Sequence, residues 1–522
     1  MTVLYRALWS SAATTDPDGG ISESIGVASA WAKESPDLEP FPEGRTVLQV
    51  SQGRHRSVSY RRIGTDAFEM IVDDQNPDEE TDWSTVIRIV RVGDETHSLV
   101  ENRIESADVT RRVSIGRPKF VHDLLVAADK PRLGGSALLT APQDIPANGI
   151  DILTQILANP DRTVPVVVCS EPFVNHDGSW RTVAARIASR AEGISTVLTL
   201  DRDAVVAFKQ SLGELAIWGG GIRVYSPVPV TAGSDGWRHR YYLRDRIESS
   251  RQAIIDRIVY SVAQLSARRR VPKVFDIFVD QSETSTVSPS ELDDAREKWE
   301  FELDLALERT SELEKELATA NGHLARLKEV LIARNLGDLL WGTKDEDTAY
   351  LPDEVQDTSE AVLAAQTYLL QWLSIPESAP RELEGIDTTT ESYSWGNTAW
   401  RGLRALAAYA EDRADGWDRG GFWEWCASGP IVGWPANSKK LSMSEGETVQ
   451  NNDKLKRARV FEIDAAVDPS GQITMLAHLK IAEGGGSLAP RVYFHDDTGG
   501  NTGRVHIGFV GPHYLVPNKS TN

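Results

Sequence analysis

Four of the ten histidines fall between residues 478 and 513, in company with Lys480, Arg491, Asp496 and Asp497. Imidazole, ammonium and carboxylate groups at close quarters are the materials of metal-assisted hydrolysis and of general acid–base catalysis. Which of them can meet depends on strand alternation. The segments RVFEIDAAV, QITMLAHLKIA, RVYFHDD and GRVHIGFVG, separated by DPSG, EGGGSLAP and DTGGNTG, read as an antiparallel meander over 458–513. Setting Phe494 opposite Val505 and Val492 opposite Ile507 makes one face apolar and leaves Arg491, Tyr493, His495 and His506 on the other. Pairing Leu479 with Phe494 and Ile481 with Val492 then sets His478 opposite His495 and Lys480 opposite Tyr493.

In that register His478, Lys480 and His495 are the candidate catalytic residues. His478, His495, His506 and Asp464 are candidate ligands of a divalent ion: zinc, manganese or magnesium. Asp464 and Glu462 join the patch in the register that keeps both acids off the apolar side, because burying them unpaired is costly. The competing reading is an ordinary polar sheet face. Asp496 and Asp497 adjoin TGGNTG and read as turn formers, while His513 lies beyond the paired region.

The rest of the chain supplies the scaffold. Residues 1–115 read as a β-rich N-terminal unit, with RTVLQVSQ, SVSYRRIG, FEMIVDD and STVIRIVRVGDETHSLVENRI alternating in period two. Over 116–281 the strand candidates SALLTAP, TVPVVVCSEP, STVLTLD, GIRVYSP and KVFDIFVD alternate with helical patterns, which predicts an open, mostly parallel α/β domain. Ligands of such sheets bind beyond the carboxyl ends of the strands, here near Ser170, Glu171, Asp201, Asp203 and Asp280. No strand leads into a dinucleotide, phosphate-loop or nucleophile-elbow motif, and the glycines of WGGGIRVYSP precede their strand, where they end a helix.

Residues 282–336 read as a long helix or coiled coil, with Leu303, Ala306, Thr310, Leu313, Leu317, Ala320, Leu324, Leu327 and Leu331 on one seam. That seam, 303–331, is the expected route to a protein partner or a homo-oligomer. A Trp-rich helical region follows at 337–445, its eight tryptophans read as core, and the meander at 446–522 closes an α+β C-terminal domain.

At 522 residues the chain calls for several structural units, an α/β multidomain class overall. Cys169 and Cys426 match no ligand or disulfide spacing, no apolar run reaches membrane-spanning length, and no signal-peptide core opens the sequence; the expectation is a cytoplasmic protein without membrane contact. A formal charge of −21 disfavours nucleic acid except through the local basic stretches 238–273 and 454–459.

Three partial resemblances bear on function. HLK followed by IAEGGG resembles the H-x-K-x-x-x-x-D signature of phospholipase D-like nucleases, with Gly485 at the aspartate position and no second copy. Asp464 with HLK is similar to the PD-(D/E)-x-K nuclease core, with His478 where an acid stands. The tail LAPRVYFHDDTGGNTGRVHIGFVGPH resembles the C-termini of bacterial multidomain proteins, some of them from genome-defence neighbourhoods. Two functions follow as expectations: a cytosolic interaction and assembly protein of a defence-associated kind, or a metal-assisted, nuclease-like hydrolase with its site on the C-terminal sheet.

Overall fold

The computed structural model describes residues 1–12, 17–50, 55–76, 81–106, 115–174, 178–231, 236–278, 351–482 and 486–518. It divides into a compact unit of Met1–Phe275 with Pro352–Asn522 and a second of Asp276–Leu351. The seam at 303–331, Trp341 and Asp280 lie outside the described residues.

Among the described residues, eight strands make an antiparallel sheet: β1 (Thr2–Ala12), β2 (Gly44–Gln49), β3 (His55–Ile63), β4 (Ala67–Asn76), β5 (Thr81–Val92), β6 (Glu95–Ser106), β7 (Asp129–Leu133) and β8 (Ser136–Ala137). Strands β2 to β6 follow one another as a meander, and β1 lies between β6 and β7. Alternation works as expected on β4, where Phe68, Met70 and Val72 are buried toward the core that also holds Ile21, Ile25 and Ala28 of helix α1 (Pro17–Lys33). On the other face buried acids are bracketed by guanidinium groups: Glu69 takes Arg61 at 2.8 Å and Arg88 at 2.5 Å, and Glu101 takes Arg6 at 2.5 Å. The sheet reaches past residue 115, because β7 pairs with β1.

A second sheet has the order β13-β12-β10-β11-β9, built from β9 (Gln143–Ile145), β10 (Val166–Ser170), β11 (Thr196–Leu200), β12 (Ile222–Tyr225) and β13 (Tyr241–Tyr242). Only β9, β11 and β10 run parallel; β12 and β13 join antiparallel, so the sheet is mixed. Two sequence expectations are corrected here. SALLTAP contributes only Ser136–Ala137 as strand, and KVFDIFVD is a 3-10 helix over Lys273–Phe278, its Phe275 and Phe278 buried while Asp276 and Ile277 are exposed. A short apolar run carries no periodicity that tells strand from helix.

Helices α3 (Ile150–Ala158) and α5 (Arg202–Leu212) cover one face of this sheet, burying Val166, Val168, Leu198 and Leu200. Beyond α2 (Phe120–Ala127), α4 (Ser179–Arg190) and α7 (Arg251–Ala267), which follows α6 (Arg244–Ser249), cover the other face, and they share one core with β1. The Tyr5 hydroxyl donates to the Glu192 carbonyl at 2.7 Å across that junction. The two sheets are therefore layers of a single core. Among the described residues no helix is long and apolar enough to cross a membrane.

Residues 351–482 return to this body through buried charge. Arg240 meets Asp357, the N-cap of α8 (Thr358–Tyr368), and lies 3.6 Å from Glu360. Arg257 on α7 reaches Asp387 of α9 (Leu383–Asp387) at 3.2 Å. Asp387 also accepts the Thr358 amide at 3.1 Å and the Ser359 amide at 3.3 Å. Gly396 of α10 (Ser392–Ala414) permits this close packing: a Cβ there would lie 2.4 Å from the Asp357 carbonyl carbon. Of the tryptophans read as core, 395, 400, 425 and 434 are buried and 372, 417 and 423 only half-buried, and the indole N–H groups of Trp400, Trp425 and Trp434 reach oxygen acceptors.

Burial raises the Glu360 and Asp387 carboxyls to about 7, against the pull of Arg240 and Arg257 and with the push of Asp357. A carboxyl raised on folding holds its proton more tightly in the native state, so its contribution is complete below the unfolded value near 4 and is lost as pH rises through about 7. The unfolding midpoint of the wild type is therefore expected to fall between pH 5 and 8, and Glu360→Gln to flatten that fall; a scan of thermal unfolding against pH, identical for both proteins, would contradict it.

Candidate functional site

The C-terminal sheet has the order β14-β20-β19-β18-β15, from β14 (Leu373–Ser374), β15 (Leu441–Ser442), β18 (Ala477–Lys480), β19 (Pro490–Asp496) and β20 (Val505–Pro512). Its apolar face, with Leu479, Phe494 and neighbours, packs on α10 and on α11 (Phe422–Ala427), where Phe422 meets Phe494 with ring centroids 5.6 Å apart. His478, Lys480, Arg491, Tyr493, His495 and His506 share the opposite face, as alternation predicts.

The register differs from the expected one by two residues. Leu479 pairs with Val492 and Ala477 with Phe494, which sets His478 opposite Tyr493 and Lys480 opposite Arg491. Phe494 pairs with Ile507 and Tyr493 with Phe509, so Gly508 is the extra residue of a bulge and His495 lies directly opposite His506. QITMLAHLKIA is not one strand. It breaks into β17 (Gln472–Thr474), which pairs with β16 (Val460–Glu462) as a separate hairpin, and β18. That hairpin covers the histidine-bearing face: Phe461 and Met475 pack with Tyr493 and Phe509, and a Cβ on Gly508 would meet both at 2.6 Å.

The covered face is organised around Glu445, which precedes the short helices α12 (Glu447–Gln450) and α13 (Asp453–Arg457). Its Oε1 accepts from Arg459 Nε at 2.6 Å and from the Tyr493 hydroxyl at 2.6 Å, and lies 3.9 Å from His478 Nδ1. Arg459, 0% exposed, spends its remaining donors on the carbonyls of Leu455, Val516 and Pro517 and on Asn518. His478 stacks on Tyr493 at 4.6 Å, and its Nδ1 bonds the Leu476 carbonyl at 3.0 Å, which fixes the proton on Nδ1. Burial pushes this imidazole down to about 4, so it is neutral near pH 7. Lys480 donates to the Ser438 carbonyl at 2.8 Å, and burial lowers its ammonium too.

The remaining candidates lie further along the sheet. His506, 2% exposed, bonds the Thr502 hydroxyl through Nε2 at 2.8 Å, and Thr502 donates to Asp497 at 2.6 Å. Burial lowers His506 against the pull of Asp497. Asp464 holds its own turn, accepting from the Ala466 amide at 2.8 Å, and Glu462 accepts from Ser378 at 2.5 Å. Asp496 and Asp497 are turn formers: Asp496 takes the Thr498 amide at 3.0 Å and Asp497 the Thr502 amide at 2.8 Å. The set His478, His495, His506 and Asp464 is thus divided between two environments. Among the described residues no group of three or more His, Cys, Asp or Glu is placed to hold a metal ion. The catalytic grouping of His478, Lys480 and His495 rested on His478 facing His495; Tyr493 occupies that place, while His495 faces His506.

The carboxyl ends of β10 and β11 are similarly engaged. Ser170 donates to the carbonyls of Trp218 and Gly221, both at 3.1 Å, and accepts the Gly220 amide at 3.0 Å. Glu171 pairs with Arg202 at 3.5 Å, and Asp201 caps α5 through the Ala204 amide at 2.8 Å. The glycines before β12 do not end a helix; they make a turn so close that a Cβ on Gly219 would stand 2.5 Å from Phe173. What stands outside is apolar. Trp218 is 52% exposed and Leu243 58%, alongside Val174 and Tyr241. The Phe173 and Trp218 rings lie 4.7 Å apart, and Arg244 donates to the Val174 carbonyl at 2.9 Å.

The basic stretches are partly spent inside. Arg240, Arg257 and Arg459 are in the ion pairs described and Arg269 donates to Ile194, leaving Arg246, Arg251, Arg268, Arg270, Lys273, Lys454, Lys456 and Arg457 exposed. Cys169 and Cys426 are free, buried thiols, and burial pushes both up, Cys426 to about 11.

No known protein family, curated protein or solved structure matches this chain. The chemistry the C-terminal face supports is that of a buried polar network, and it sets a clear expectation for mutation. Glu445→Ala strands Arg459 and is expected to cost about 3–5 kcal/mol of stability, read by denaturant-induced unfolding, with Glu445→Gln costing less. An unchanged unfolding midpoint in Glu445→Ala would show that the network is not structural.

Proposed function

We propose that this chain is a cytoplasmic interaction and assembly protein of bacterial multidomain type, working within a defence-associated system. The observation that carries the reading is the aromatic patch of Trp218, Tyr241, Val174 and Leu243 at the carboxyl end of the parallel strands. Open α/β sheets bind their ligands at that end. Contiguous exposed apolar surface with Trp, Tyr and Arg together is the composition of a protein-binding hot spot rather than of idle surface.

The leucine seam of 303–331 supplies the assembly function, since such a seam needs a second helix to cover it. The defence-associated setting belongs to the same proposal and rests on the likeness of the tail. Hydrolysis is the less favoured reading, since Tyr493 rather than His495 stands opposite His478.

The test uses the full chain, the chain lacking 303–331, and a Trp218→Glu, Leu243→Glu double variant. Sedimentation over a concentration series is expected to show self-association lost on deletion. Affinity capture from the native host is expected to retain a partner that the double variant loses at unchanged thermal stability. A full chain that stays monomeric, or a retained partner indifferent to the double variant, contradicts the reading.

A further inference from the structure

The second sheet carries another feature, away from the aromatic patch. A cavity of about 630 Å³ runs along α3 beside the edge strand β9, from Pro146 and Gly149 at the start of the helix to Asn159 and Arg162 beyond its end. Its walls are Leu139, Ile145, Ile152, Ile156, Val166 and Leu198. Ile152 and Ile156 stand one helical turn apart on α3 and are 63% and 42% exposed, so an apolar stripe faces open space. Nine helical residues give the groove a length of roughly 13 Å. This volume and this lining belong to small-molecule sites.

Two charged side chains border it, and they differ in kind. Asp144, largely exposed, is paired in place with Arg181 at 2.5 Å and accepts from the Thr199 hydroxyl. Arg162 is 3% exposed, and among the described residues no carboxylate pairs with it. Its terminal nitrogens donate to backbone carbonyls only: Val164 at 3.1 Å, Ser226 at 2.8 Å and Val228 at 2.7 Å, with longer bonds to Tyr225 and Leu157. Among the described residues its Nε has no acceptor. Burial alone lowers this guanidinium, to about 10. A buried cation with no counter-charge is costly, and proteins pair such groups or bind an anion against them.

We propose that this groove binds an elongated apolar monocarboxylate, its hydrocarbon body along Ile152 and Ile156 and its acid group at the Arg162 end. The chain then has two separate binding places on one sheet, and the ligand site stands or falls without the partner face. The carbonyl ring around Arg162 keeps the guanidinium fixed, so the field at that end of the groove is set before a ligand arrives.

The test is displacement of cis-parinaric acid from the full chain by decanoate and by 1-decanol. Decanoate is expected to displace it at least ~10-fold more tightly than the alcohol, the scale of one charge-assisted contact. Ile156→Trp, at an exposed position of α3, is expected to fill the groove and abolish probe binding with the unfolding midpoint unchanged. Arg162→Met, where it folds, is expected to erase the preference for the acid while leaving the alcohol's affinity. Failure of the probe to bind the wild type, equal affinity for acid and alcohol, or full binding by Ile156→Trp would each overturn the proposal.

Discussion

The buried charge between the α/β layer and the helices that follow residue 357 is the constraint on which the rest of this body depends. Arg240 and Arg257 come from the α/β layer, and Asp357, Glu360 and Asp387 from the part of the chain that resumes after the Asp276–Leu351 unit. Neither set is satisfied alone: separated, each layer would present unpaired charge at a surface built to be dry. The Tyr260 hydroxyl on the Thr389 carbonyl and the close approach of Gly396 to the Asp357 backbone add a hydrogen bond and tight backbone packing beside the same pairs. Net stabilisation by such pairs is modest because desolvation offsets attraction, but removing one partner is severe. Their effect is to fix one arrangement of the layers.

The same logic explains the C-terminal sheet. Glu445, Arg459, Tyr493 and His478 have the chemistry of a catalytic group, yet their donors and acceptors are turned toward one another and toward backbone ends at 516–518. A hairpin of two three-residue strands lies over them. Polar groups this well satisfied specify a packing, and the apolar surface left outside, at Trp218 and along α3, is where recognition has room to occur.

Much of this was legible in the sequence. Period-two alternation identified β3, β4, β5 and β6, the buried Val-rich runs identified β10 and β11, and the faces of β18, β19 and β20 up to Ile507 followed from alternation, which inverts beyond the bulge, where Phe509 joins the histidine face. Register was not legible. The bulge at Gly508 shifts β20 by one residue, and the chain turns at Met475 and Leu476 inside an uninterrupted apolar pattern, so His478 moved by two positions. Pairing across long separations was hidden as well. Nothing local to Glu445, Asp387 or Arg162 distinguishes them from surface residues, and Arg240 and Arg459 looked like parts of basic patches because their partners lie 117 and 14 residues away.

Hydrogen exchange of the full chain, comparing wild type with Arg240→Met, tests most directly whether buried charge makes one cooperative body of these layers. Amides of α7 and α8 are expected to open together in the wild type with a common free energy, and the variant is expected to lower protection in both while β4 and β5 keep theirs. If α8 opens on its own in the wild type, or loses protection in the variant while α7 does not, the layers are independent and the account is wrong.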